Sequence, residues 1–139
     1  MSSSTPIAGS GPRILVYSDD VDVRAEVRLA VGPRIGAGEP AIEWIEAATA
    51  DAVLAVAQAD GADVLVLDAE ADKVGGLGLA RQLKDEVFEC PPVLVLIARQ
   101  ADAWLASWST AEEVVSRPLD PMVLHDAVAR LLDDPAVAR

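Results

Sequence analysis

Five short runs constrain this chain most: RILVYS (13–18), AIEWIEA (41–47), DVLVLD (63–68), VLVLIA (93–98) and EVVS (113–116). Most are apolar almost without interruption. A strand with one solvated face alternates apolar and polar residues, so unbroken apolar strands imply a sheet covered on both faces, as in parallel α/β folds. The segments between them repeat at helical spacing. Val23, Val27, Ala30 and Val31 form one stripe, Val53 and Ala57 a second, and Leu79, Ala80, Leu83 and Val87 a third. A short helix is expected from Ala101 to Trp108, and a last one burying Leu124, Val128, Leu131 and Leu132. Thr49 and the Asp120–Pro121 pair have N-cap and first-turn chemistry, while Gly32–Pro33 and Gly61 are the expected helix stops. The pattern is five strands alternating with five helices, a doubly wound α/β domain with no internal repeat.

In such sheets the functional crevice lies beyond the carboxyl ends of the strands, at the switch point of strand order. The first strand ends in Ser18-Asp19-Asp20 and the third in Asp68. Asp19 and Asp20 could simply cap a helix, and Asp68 could be a solvated turn residue. Alternatively the acids gather. Clustered carboxylates repel unless a cation sits among them, and Mg²⁺ is the natural guest for oxygen ligands.

The chain has 139 residues and 52% hydrophobic residues, enough for one domain with a real core. Its net charge of −12 repels phosphate backbones and disfavours direct nucleic-acid binding. No apolar run is long enough to span a membrane. The start, MSSSTPIAGSGP, has no signal-peptide pattern and reads as a flexible tail over 1–11; residues 134–139 read as a second tail around a domain at 12–133. One cysteine, Cys90, allows no internal disulfide, which fits a cytoplasmic location.

Four segments together resemble the receiver domain of two-component response regulators. ILVYSDDVDVR is similar to that family's first strand and acidic pair. DVLVLDAEADKVGGLGLARQLK resembles the third strand, phosphoacceptor, loop and following helix, with Gly76 at the loop glycine. PPVLVLIAR resembles the fourth strand, and VVSRPLDP the fifth with its basic-Pro signature. The likeness covers residues 13 to 132, and the layout resembles short, stand-alone actinobacterial regulators. It implies a flavodoxin-like sheet of order 2-1-3-4-5.

Residue by residue, the resemblance implies that Asp68 is the phosphoacceptor. It implies that Asp19, Asp68 and the Glu70 carbonyl reach Mg²⁺, and that the Glu70 and Ala98 N–H groups and Arg117 contact the phosphoryl group. A cis bond before Pro118 is implied too. Several positions depart from the family. Ser18 replaces the first acid, so Mg²⁺ binding should be weak; Asp20 restores the pair only if the turn shifts by one residue. Ile97 replaces the hydroxyl residue of the switch, and Val114 its aromatic. Arg117 replaces Lys, a planar fork in place of a point charge. Asp72 stands where the loop commonly has Pro.

His125 reads as a surface or half-buried helix residue, Cys90 as an inert loop thiol, and Gly75, Gly76 and Gly78 as turn and close packing. Trp104 and Trp108 stand four apart and share one helix face. Core packing is expected for at least one of them, yet exposed paired indoles are also interface anchors. The leading reading is therefore a receiver in a phosphorelay. It would meet a sensor kinase or downstream target through the face made by the fourth helix, fifth strand and fifth helix, with self-association left open. The alternative is a pseudo-receiver that binds its partner regardless of phosphorylation. A small enzyme of the same fold is disfavoured, because no nucleophile–base pair is visible.

Overall fold

Side chains alternate across a strand, and here both sides of the alternation are apolar. The computed structural model describes residues 11–71, 74–99 and 103–133. Both expected tails beyond these bounds, and Asp72, lie outside the described residues. The elements run β1 (Arg13–Tyr17), α1 (Val21–Val31), β2 (Glu43–Ala47), α2 (Ala50–Gln58), β3 (Val64–Asp68), α3 (Gly76–Glu86), β4 (Val93–Ile97), α4 (Trp104–Ser109), β5 (Glu113–Ser116) and α5 (Pro121–Asp133). The sheet is parallel throughout, in the order β2-β1-β3-β4-β5.

Ile14, Val16, Val64, Val66, Leu94 and Leu96 face α1 and α5, where they pack on Val27, Val31, Leu124 and Val128. The intervening Leu15, Tyr17, Leu65, Leu67, Val93, Val95 and Ile97 face the other way, against Val53, Leu79 and Leu83 of α2 and α3. Each fully buried Leu, Ile or Val contributes about 1.5–3 kcal/mol of transfer free energy, so the three central strands hold the fold's largest stabilising term.

The caps follow the sequence. Thr49 accepts from the Ala52 N–H, and Asp120 from the N–H groups of Met122 and Val123. Gly32, with φ 90°, closes α1 as expected. Gly61 does not close α2. The helix stops at Ala59, and Asp60 takes the left-handed conformation (φ 56°). The Asp60 and Gly61 N–H groups then donate back to Ala57 and Val56. Asp tolerates this conformation better than most residues, so the turn forms one residue before the glycine. Gly61 matters instead for clearance, since a Cβ there would lie 3.2 Å from a Val56 methyl.

A second correction concerns the tryptophans. Neither is in the core: Trp104 is 71% and Trp108 50% exposed. The Arg81 guanidinium stacks 5.1 Å over the Trp108 ring and donates to its carbonyl. α4 starts at Trp104, later than expected, and residues 101 and 102 lie outside the described residues. His125 is half-buried on α5. Its ring nitrogens lie 2.6 and 2.9 Å from the carbonyl oxygens of Val31 and Ile35. Cys90 forms no disulfide, and burial pushes its thiol up, away from the reactive thiolate.

Candidate phosphoacceptor site

The strand alternation that builds the core also selects the site. Continued one step past Tyr17 and Leu67, it aims Ser18 and Asp68 toward the α1/α5 side. The same parity on β5 aims Arg117 there. β1 and β3 are adjacent in the sheet, so Ser18 and Asp68 meet at its carboxyl edge.

Asp68 is 3% exposed, and both of its oxygens are engaged. Oδ1 accepts from the Glu70 N–H at 2.9 Å, and Oδ2 accepts from the Ser18 hydroxyl at 2.8 Å. Ser18 Oγ in turn accepts from the Asp20 N–H at 3.0 Å. Arg117 Nη1 lies 3.9 Å from Asp68 Oδ1, while Nη2 lies 3.5 Å from Glu26 Oε1 on α1. The Arg117–Pro118 bond is cis, as the resemblance implies.

These residues surround an open cleft of about 620 Å³ lined by Asp19, Asp20, Val21, Val23, Asp68, Glu70, Ala98 and Arg117. Asp19, Asp68, Glu70, Ala98 and Arg117 were all expected there. Ile97 does not line the cleft. It is buried in the core on the α2/α3 side, with Val114 packed against the same cluster. Asp20 is committed as the N-cap of α1, accepting from the Asp22 N–H, so the turn is not shifted toward an Asp19–Asp20 pair. Burial, then the charges of Asp19 and Asp68, raise the Tyr17 hydroxyl above its usual value; it donates to the Val74 carbonyl at 2.6 Å.

Two residues that sequence reasoning missed brace this site. Arg24 donates to the Ser18 carbonyl at 2.6 Å and to Glu46 at 2.9 Å, and Glu26 shares Arg117 with Asp68. The one available signal was register: Val16 pairs with Glu46, which puts an acid beside the end of β1 and opposite Arg24 and Arg28.

Mg²⁺ binds oxygen donors with near-octahedral geometry, usually one or two carboxylates with waters. Asp19 and Asp68 face one cleft. Among the described residues, however, no three Asp, Glu, His or Cys side chains gather closely enough to hold a metal ion. Ser18 supplies a hydroxyl already donated to Asp68, and Arg117 brings positive charge to the same carboxylate. This donor set does not fit a tightly held divalent cation.

Two curated relatives from strains of Mycobacterium tuberculosis, each named an uncharacterized response regulatory protein, are 47% identical over 131 residues. The match covers 94% of this chain and 98% of theirs. The chain belongs to the response regulator family. No protein-family model matches it. Among solved structures, a response regulator from Chloroflexus aurantiacus superposes with a TM-score of 0.74 at 21% identity, covering 88% of this chain and 98% of that one. A CheY-like receiver domain from Methanospirillum hungatei gives a TM-score of 0.70 at 18% identity, covering 90% and 96%. At those identities the likeness speaks for the fold, which is the CheY-like, flavodoxin-like receiver architecture. Within this response regulator, Asp68 and Arg117 occupy the sheet edge where the topology puts its crevice.

Proposed function

We propose that this response regulator acts in two-component signalling through protein–protein contact, with Asp68 as its phosphoacceptor. The observation that carries the reading is the setting of Asp68. One buried carboxylate at the mouth of the sheet is oriented by the Glu70 N–H and faced by the Arg117 guanidinium, inside a cleft open to solvent. In the transfer, an Asp68 oxygen forms a bond to phosphorus while the donor's bond to phosphorus breaks. The leaving group departs with that electron pair. In this reading Arg117 and the Glu70 and Ala98 N–H groups take the phosphoryl oxygens, and what supports it is that all three residues line the cleft. Incubation with a small phosphodonor, read by intact mass, tests this. A phosphoryl adduct lost in Asp68→Asn is expected; no adduct on the folded protein sinks the reading.

A second reading has its own support. The Ser18–Asp68 hydrogen bond occupies one carboxylate oxygen, and Ile97 offers no hydroxyl to a phosphoryl group. Partner binding that ignores phosphorylation would follow. Equal partner affinity for phosphodonor-treated wild type and Asp68→Asn would favour that pseudo-receiver reading.

A further inference from the structure

We propose that the Asp68 cleft is built to work without a divalent cation, with Ser18 and Arg117 holding and neutralising the carboxylate in the cation's stead. This rests on Asp68 being the phosphoacceptor and goes further, because the family resemblance implies Mg²⁺ there.

The argument starts from charge. A carboxylate at position 18 would sit within hydrogen-bond distance of Asp68, and two such groups need a cation between them. Serine replaces that repulsion with a 2.8 Å hydrogen bond. Its oxygen is also used, accepting the Asp20 N–H at 3.0 Å. The turn is locked in this form, because Arg24 holds the Ser18 carbonyl and Asp20 caps α1. Countercharge comes from the guanidinium of Arg117. It lies 3.9 Å from Asp68 Oδ1 and is steadied by Glu26. The carboxylate is thus oriented and compensated by the chain itself. A cation entering the cleft would have to compete with a fixed guanidinium for the same oxygen.

Three variants and two measurements test this. Thermal unfolding and calorimetric titration with MgCl₂ alone are run on the full chain as wild type, Ser18→Asp and Arg117→Ala. The wild-type midpoint should not move in millimolar Mg²⁺. Ser18→Asp should be less stable than wild type in chelator and should gain Mg²⁺ affinity of roughly tenfold or more, seen as a ligand-dependent rise in midpoint. If Ser18→Asp does not fold without metal but folds with it, that too supports the proposal. If it folds in neither condition, Arg117→Ala decides, since loss of the countercharge should by itself create Mg²⁺ dependence. A wild-type midpoint that climbs with Mg²⁺ as steeply as that of either variant, or a wild-type Mg²⁺ response removed by Asp19→Ala, overturns it. No phosphodonor is present, so the outcome stands apart from whether Asp68 accepts a phosphoryl group.

Discussion

Gly76 is in direct contact with the backbone that presents Asp68. A Cβ built on it would lie 2.8 Å from the Asp68 carbonyl carbon and 2.9 Å from its oxygen. The first turn of α3 therefore rests on the site residue through main chain alone. Gly76→Ala should cost about 1–3 kcal/mol, because neither backbone can yield cheaply. It should also shift the Asp68 and Glu70 amide resonances. Urea unfolding with an unchanged midpoint would show that the contact is not as tight as drawn. At this scale much was legible in the sequence. Through the resemblance carried by the strand and loop motifs, Gly76, Asp68, Asp19 and Arg117 could be named in advance. The Ser18 hydrogen bond could not. That Ser18 lacks a carboxylate is plain from its identity, but its donation to Asp68 depends on β1–β3 register and on the turn that fixes its rotamer. Glu26 was hidden for the same reason, since nothing local ties a residue of α1 to the loop after β5.

At the scale of elements, α1 is fastened to β2 by Glu46, which accepts from Arg24 at 2.9 Å and Arg28 at 2.6 Å. These hydrogen bonds, Arg24 first and then Arg28, hold the Glu46 carboxyl below its ordinary value of 4.5. A carboxyl whose pKa is lower folded than unfolded adds stability above the unfolded value. That contribution fades as pH drops below 4.5 toward the folded value. Glu46→Gln should therefore lower the urea midpoint at neutral pH and flatten its decline over that acid interval. Parallel acid limbs for the two proteins would show that the tie adds nothing. The element boundaries themselves followed local chemistry wherever a cap carried the signal, as at Thr49 and Asp120. They were missed where two residues competed for one role. Asp60 and Gly61 both suit a helix end, and only the closed turn shows that Asp60 adopts the left-handed conformation. The α4 start was missed because the apolar residues from Ala101 on were read as its first turn, whereas the helix begins at Trp104.

Over the whole molecule, net charge and exposed aromatics set the terms of association. The charge of −12 favours a partner with a basic or neutral contact surface and discourages nucleic acid. Trp104 and Trp108 extend from α4 into solvent, and Arg81 stacks on Trp108. If this face is the docking surface, Trp104→Ala should weaken partner binding by about 2 kcal/mol or more, as anchors do. Asp68→Asn should change it by less than about 1 kcal/mol, since Ile97 and Val114 leave little differential free energy between two states. Calorimetry with a captured partner checks both. A large loss from Asp68→Asn with none from either Trp would restore an ordinary phospho-switch. The helical spacing made the Trp pair visible in the sequence. Which side of α4 meets solvent depends on how α3 packs beneath it, and spacing alone does not contain that.

The histidine between α5 and the tail of α1 has a mechanical corollary. His125 places its ring nitrogens 2.6 and 2.9 Å from the carbonyl oxygens of Val31, the last residue of α1, and of Ile35 in the connection beyond it. His125 thereby joins α5 to the segment leading into the edge strand β2. Hydrogen exchange at the amides of residues 32 and 34–36 should then report what docks on α5, at a distance from the docked surface. Replacing the imidazole with a side chain of similar size but no ring nitrogens, as in His125→Phe, should uncouple the two ends while leaving the contact surface intact.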